Sequence, residues 1–522
     1  MSERRERAWP VVAGAVVLFL GCAWTTDHYW DEYYYLFSVS RHSVETLLAF
    51  EPSLSDGIFP NGFFSGKLAF VVLLRSLVSL TGTDPAGLFV LRSLFASMTI
   101  GVAFATWRVL LLLVDDRRLA LEAAAILLVL PLTVYLGFKV MSEVPALLAA
   151  TLGGWQLLEA VRAPDSRARS RGLVLAAVGL GSAAVFRPTS VLFAAGLVSA
   201  AVIARPGGAT VRRIITDAAL ALSAAMVLVA AIFILAVGDP LTRFGSLAQS
   251  VTSRSPGGLV VIYAIAVFAQ LFVVLLLAAL RPMTRTVAAA LAWLAVALMP
   301  YVITAQYVEP RFFYTGLPAF ALLAAIGLEN LSALTQASRR AALAAAMIAI
   351  LAVLDRALFA TLMPYEIREG DYSALIEDVD TQRPQATLVV PWLSDFCYLS
   401  LAFPDRRVVL AMSETYGTGT VFQTRDFQQW VGASAYAGAA EDLERQPAPR
   451  VYAGWEYSPT VVALDRYLRP LRLAYLDDPD RRARLLNHLT PSWVWNSDRY
   501  RLEPIAARGA YRAFTIEKRH GS

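Results

Sequence analysis

Before about residue 360 the chain is a succession of long apolar runs separated by short connections, and this pattern restricts the possible folds more than any other feature. A helix rises ~1.5 Å per residue, so ~20 apolar residues cross the ~30 Å hydrocarbon core of a bilayer. Runs of that kind predict helices near 9–24, 86–114, 119–135, 143–161, 172–186, 189–204, 215–237, 257–280, 286–303, 315–331 and 341–360. The fold class expected is an α-helical polytopic membrane protein with about 11 transmembrane helices and a C-terminal extracytoplasmic α/β domain. The stretch 64–80 is also apolar but carries Lys67 and Arg75, which suits an interfacial helix inside a long loop. At the N-terminus, Arg4, Arg5 and Arg7 precede an apolar run with no small-x-small cleavage site before Asp27, as in an uncleaved first helix.

Arginines decide the orientation. Alternate connections hold Arg4, Arg5 and Arg7; Arg117 and Arg118; Arg162, Arg167, Arg169 and Arg171; Arg205, Arg212 and Arg213; Arg281 and Arg285; Arg339 and Arg340. Short basic loops stay in the cytoplasm. The N-terminus is therefore expected inside and residues 361–522 outside. The domains expected are 1–360, transmembrane, and 361–522, soluble and extracytoplasmic. Within the first, residues 25–85 form a long outer loop with interfacial helices. The net charge of +5 divides accordingly: 27 Lys and Arg against 20 Asp and Glu up to residue 360, and 19 against 21 beyond it. The basic surplus thus reports topology, and no clustered basic face points to nucleic acid. Cys22 and Cys397 fall in different domains with no metal-ligand spacing, so neither a disulfide nor a metal site is expected of them.

The tail reads as α/β. Residues 386–390 and 407–411 are strand-like with a helical 395–403 between them, and 450–453, 458–468 and 471–475 repeat the strand–helix–strand spacing. The segments 500–504 and 509–516 suggest a final hairpin. No Gly-rich phosphate loop follows any of these strands.

Three polar groups on the outer side call for an explanation. Asp31 and Glu32 lie among Tyr29, Trp30, Tyr33, Tyr34 and Tyr35, just past the first helix. Adjacent carboxylates in an apolar setting are raised in pKa and become better bases; the alternative is a solvated loop beside an aromatic belt. Glu143 opens a helix after a short outer loop, either as a carboxylate stabilised by the helix dipole or as a functional ionisable group at a membrane helix end. The third group is Tyr307, Glu309, Arg311 and Tyr314, before the tenth helix. Arg311 either snorkels to lipid headgroups or grips a phosphate with its planar fork. Arg187 and Lys67 are further outer-face cations, and positive-inside makes such residues the minority.

In their order and common sidedness these features resemble the GT-C glycosyltransferases, particularly the protein O-mannosyltransferase and lipid A aminoarabinose transferase branch. The shared features are an inside N-terminus, the Asp31-Glu32 pair opening a long outer loop, Lys67 later in that loop, Glu143 in the second outer loop, and Arg311 among aromatics before a late helix. The resemblance covers roughly 1–335. It implies a hexosyl- or pentosyltransferase of the inverting type. Such an enzyme moves a sugar from a polyprenyl-phosphate donor to a lipid, glycan or protein acceptor outside the cytoplasm. Asp31, Glu32 and Glu143 would be catalytic, with Asp31 as general base. Arg311, Arg187 and Lys67 would hold the donor phosphate, and Tyr307, Glu309 and Tyr314 would line the pocket. A divalent cation such as Mg²⁺ or Mn²⁺ is compatible with the carboxylates, although carboxylates alone do not define one. The competing reading is a transporter or flippase of a lipid-linked or anionic solute. It calls for internal repeats and midplane charges, and the sequence has no repeat. A membrane scaffold or sensor with a partner-binding tail would leave Asp31, Glu143 and Arg311 unexplained.

Orientation is directly testable. In intact cells a cysteine placed at Arg167 should resist a membrane-impermeant thiol reagent while one at Arg450 reacts; the reverse pattern would invert the topology and move the candidate site to the other side.

Overall fold

In hydrocarbon every backbone N–H and C=O must be satisfied within the protein, which leaves the helix as the form for long apolar runs such as these. The structure, a computed structural model, describes residues 9–25, 28–48, 65–237, 284–304, 314–335, 366–367, 369–390, 393–410, 449–455, 500–509 and 511–518. In chain order its main elements are α1 (Trp9–Thr25), β1 (His28–Tyr29), α2 (Trp30–Arg41), α3 (Val44–Leu48), α4 (Leu68–Thr81), α5 (Pro85–Val114), α6 (Arg117–Val129), α7 (Pro131–Leu136), α8 (Glu143–Arg162), α9 (Ser166–Phe186), α10 (Val191–Ala204), α11 (Val211–Val237), α12 (Arg285–Thr304), α13 (Leu317–Thr335), β2 (Glu366–Ile367), α14 (Glu369–Gln382), β3 (Thr387–Val390), α15 (Leu393–Ala402), β4 (Val408–Leu410), β5 (Arg450–Trp455), β6 (Tyr500–Arg508) and β7 (Tyr511–Lys518). They group into two compact units, Met1–Thr26 with Phe64–Phe359, and Asp27–Phe63 with Ala360–Ser522.

The first unit is helical. Of the segments expected to cross, all but 257–280 and 341–360 fall on described residues, and each of those is helical. Among the described residues α5, α8, α9 and most of α11 are long and apolar enough to span a bilayer. One expectation needs correction: 119–135 is not a single helix. It breaks at Leu130, whose φ of −59° and ψ of 133° are extended, before Pro131 starts α7. A proline cannot continue the backbone ladder, and it pushes the residue before it out of the helical region. The apolar stretch with Lys67 and Arg75 is helical as α4, which packs against α5 and α9.

Small residues set the helix spacing. A Cβ on Gly179 would lie 2.6 Å from Gly153 Cα, and one on Gly153 would lie 2.7 Å from Leu180 N. These are backbone atoms, so α8 and α9 touch main chain to main chain, as small residues allow in membranes. On α11, Ala218, Ala221, Ala225, Val229 and Phe233 are buried while Met226, Val227 and Leu235 are largely exposed. An exposed face that apolar suits lipid and would be an aggregation liability in water. Leu317–Leu328, the start of α13, is buried on all its faces, as in the interior helix of a bundle.

The second unit holds a five-stranded sheet in the order β4-β3-β5-β7-β6. β3 is parallel to β4 and β5, and β7 is antiparallel to β5 and β6. The β3–α15–β4 unit and the final hairpin match the sequence reading, with β6 and β7 each running a few residues further than expected. The segments 458–468 and 471–475 lie outside the described residues. The expected long outer loop is divided between the units: its first part, Asp27–Phe63, belongs with the tail, where β1 pairs antiparallel with β2 through His28↔Ile367 and Tyr29↔Glu366. Burial, helped by the charge of buried Asp395, pushes the hydroxyls of Tyr372 and Tyr452 and the thiol of Cys397 above their usual pKa, so these three groups stay protonated.

The close approach of α8 and α9 predicts that Gly179→Leu prevents the bundle from packing and abolishes a monodisperse detergent-solubilised peak. Gly14→Leu, in α1 where nothing lies within 4 Å of the new Cβ, should leave that peak intact in size-exclusion chromatography.

Candidate functional site

Charges in the helical unit gather at its two ends. At one end Arg162 bonds the Leu112 carbonyl and Asp115, Arg213 donates to the Ala163 carbonyl at 2.5 Å, and Arg169 Nε reaches the fully buried Asp217 at 2.9 Å. These arginines cap helix ends and tie α5, α8, α9 and α11 together. This is the end with the basic connections.

The other end carries the candidate site. The chain turns at Gly137, where any Cβ would meet Thr133 O at 2.4 Å and Thr99 Cγ2 at 2.9 Å. Thr99 donates to the Gly137 carbonyl and so pins the 137–142 turn to α5. The turn delivers Glu143 to the start of α8, 3% exposed. Across from it Arg187 leaves α9 in an extended conformation, φ −161° and ψ 114°, which the following Pro188 favours. Arg187 Nη1 lies 2.5 Å from Glu143 Oε1 and 3.3 Å from Ser142 Oγ, and its Nε donates to Thr189 Oγ1 at 3.0 Å. Ser142 Oγ donates to Glu143 Oε2 at 3.2 Å. Tyr314, also buried, lies near enough to Thr99 and Glu143 to interact with both. The structure therefore brings together three of the sequence candidates, Glu143, Arg187 and Tyr314, from segments far apart in the chain.

Two cations at this end had no role in the sequence reading. Lys139 is completely buried, its Nζ 4.1 Å from the centroid of the Tyr135 ring and 5.8 Å from that of Phe138. Arg92, 2% exposed, lies 5.7 Å from the same Phe138 ring and reaches the Ala23 carbonyl at 3.4 Å. Cations over aromatic faces are stabilised by the ring quadrupole. The available signal was local: Phe138 and Lys139 are adjacent in an outer connection between apolar helices. Arg92 carried none, because a single arginine near a helix end reads as snorkelling.

Lys67 closes the short Ser65–Lys67 turn at the head of α4 and is half-buried. Asp31 and Glu32 belong to the other unit. Both lie in the first turn of α2, a helix where the sequence reading left a loop open, and Glu32 is fully buried. Tyr307, Glu309 and Arg311 lie outside the described residues. Among the described residues no three His, Cys, Asp or Glu side chains come together as metal ligands would. Glu143 Oε1 is engaged by a guanidinium and Oε2 by a hydroxyl, so as placed this carboxylate does not fit a divalent ion. No step below runs through one.

The fold is shared with solved structures of two membrane proteins. The likeness runs nearly end to end with ArnT from Cupriavidus metallidurans bound to undecaprenyl phosphate, with a TM-score of 0.52, 14% identity and 97% of each chain covered. The same protein in its apo state gives a TM-score of 0.52 and 14% identity, with 98% of each chain covered. The archaeal oligosaccharyltransferase AglB from Archaeoglobus fulgidus, in complex with an inhibitory peptide and a dolichol-phosphate, is similar at a TM-score of 0.50 and 14% identity. That match covers 89% of this chain and 71% of AglB. No protein-family model and no curated protein matches the sequence.

Removing one partner of a buried ion pair leaves the other charge stranded, at a cost of about 3–5 kcal/mol. Arg187→Ala should therefore lower the thermal midpoint in detergent sharply, and Glu143→Gln combined with Arg187→Met should recover most of it. Equal losses in the single and double variants would show that the pair does not act as a unit.

Proposed function

We propose that the protein is a multi-pass membrane glycosyltransferase that moves a sugar from a polyprenyl-phosphate donor to an acceptor on the extracytoplasmic side. The observation that carries this reading is the end-to-end likeness to ArnT, a protein whose structure holds undecaprenyl phosphate. The sorting of charge within the helical unit supports it. Among the described residues the basic connections with Arg162, Arg169 and Arg213 gather at one end, and the buried set Glu143, Arg187, Lys139 and Arg92 lies at the other. In the proposed orientation the N-terminus and the basic end are cytoplasmic, and the tail is outside. A bundle of about 11 crossings keeps the donor's prenyl chain in hydrocarbon while its head is presented at the interface.

The reaction is a single displacement. An acceptor hydroxyl oxygen attacks the anomeric carbon, the bond from that carbon to the phosphate oxygen breaks, and polyprenyl phosphate leaves with the electron pair. One displacement inverts the anomeric centre. Asp31, with Glu32 beside it, takes the acceptor's proton. Charge builds on the departing phosphate, and fixed cations in a dry site lower that barrier; Arg311, Arg187 and Lys67 are the proposed cations. Glu143 holds Arg187 in place and orients the sugar or acceptor. Tyr307, Glu309 and Tyr314 line the pocket.

Asp31→Asn keeps the size of the side chain but cannot take a proton. Transfer from a polyprenyl-phosphate-linked sugar should fall by ~10²–10⁴ with normal membrane insertion, the usual cost of losing a general base. Turnover near the wild-type rate would remove Asp31 from the mechanism.

A further inference from the structure

We infer that the tail's sheet acts as the mount for α2, and that Tyr33, Tyr398, Tyr372 and Tyr511 are positioning residues that fix where the Asp31-Glu32 pair stands. The inference rests on the transferase reading above, because it assigns the tail a part in that reaction.

α2 is attached to the tail along one helical stripe. Positions 33, 37 and 41 follow one another at four-residue spacing and so share a face. Each meets α15: the Tyr33 and Tyr398 ring centroids are 4.8 Å apart, those of Phe37 and Phe396 are 5.5 Å apart, and Arg41 Nη2 reaches the Ser400 carbonyl at 3.4 Å. Three contacts on one face set the rotation of α2 about its axis as well as its position. Tyr33 additionally donates to Glu369 Oε1 at the head of α14, and β1, joined directly to α2, pairs with β2.

From Tyr33 the contact continues into the sheet as a column of rings. Tyr398 stacks on Tyr372 at 5.4 Å and 28°, and Tyr372 stacks on Tyr511 at 4.4 Å and 12°. Tyr511 is the first residue of β7, paired on one side with Trp455 of β5 and on the other with Arg508 of β6. Tyr372 donates to the Ala453 carbonyl at 3.1 Å, and the Tyr398 hydroxyl lies 3.2 Å from Ser373 Oγ. All four rings are buried, Tyr33 at 6% exposure and the others less. A packed, hydrogen-bonded column transmits position because an interior has little free volume to absorb a shift.

Positions 31 and 32 directly precede Tyr33, the first residue of that column, on the same helix. Position 31 is two residues before Tyr33, about 200° around a helix of 3.6 residues per turn. The stripe therefore leaves position 31 on the face turned away from α15. A base that abstracts a proton must stand within hydrogen-bond reach of it, and a misplacement of about 1 Å can cost ~10²-fold in rate.

The test compares full-length Tyr398→Leu, which removes the ring between Tyr33 and Tyr372, with Tyr398→Phe, which keeps it. Hydrogen exchange and steady-state kinetics are read on each. For Tyr398→Leu we expect faster amide exchange across 30–41 with exchange in 511–518 unchanged. Its kcat should fall by ~10–10²-fold with the donor KM within about twofold. Tyr398→Phe should restore both readouts. A purely structural ring would change the folded fraction without changing kcat per folded molecule. If Tyr398→Leu also loses protection in 511–518, the sheet has opened, and Tyr33→Phe then reads the same quantities by removing only the bond to Glu369. Wild-type exchange in 30–41 together with wild-type kcat would overturn the inference. A wild-type protein that fails to turn over any polyprenyl-phosphate-linked sugar would overturn the transferase reading instead, and the exchange comparison would still decide whether the column holds α2.

Discussion

A charged side chain in hydrocarbon costs several kcal/mol unless it is paired or brought to the interface, and the placing of the buried ions described in the helical unit follows from that cost. Arg162, Arg169 and Arg213 sit at one end of the bundle and spend their donors on helix-end carbonyls and on Asp115 and Asp217. At the other end Glu143 and Arg187 neutralise each other, and Lys139 and Arg92 lie over aromatic rings. A stability argument alone does not require the buried Glu143–Arg187 pair. An apolar replacement would suit the bundle equally well, since buried ion pairs are seldom a net gain over hydrophobic packing. The proposed function would give these cations a use beside the donor's phosphate.

Much of this was legible in the sequence, because a run of ~20 apolar residues has few alternatives and arginine in short loops has a strong sidedness. The βα pattern of the tail was visible because β3 and β4 are short apolar, β-branched runs on either side of a helix-length segment. The break at Leu130 went unread because hydropathy averages over a window, while Pro131 acts on one residue. Arg92 and its ring Phe138 are separated by a whole helix and a turn, and nothing local links them.

The union of Asp27–Phe63 with Ala360–Ser522 was the least legible feature. Tyr33 and Glu369 are 336 residues apart, and the aromatic run at 29–35 reads from sequence as a membrane-interface belt. In the structure Tyr33, Tyr34 and Tyr35 are core residues of the tail unit, and Tyr33 begins a column that ends in the sheet. An aromatic belt and an aromatic core have the same composition, and only tertiary contacts separate them. The tail thus gains a reason to exist that its own sequence, lacking any phosphate loop, did not provide.

In the proposed function the carrier's phosphate binds at the end of the bundle where Glu143 and Arg187 lie. Photo-crosslinking tests it most directly, using purified protein in nanodiscs and a polyprenyl phosphate with a diazirine close to the phosphate. The account predicts labelled peptides covering 135–143 and 187–190, competed away by unlabelled polyprenyl phosphate. Label confined to the opposite end, at 108–122 or 159–171, or label that unlabelled carrier does not displace, would contradict it.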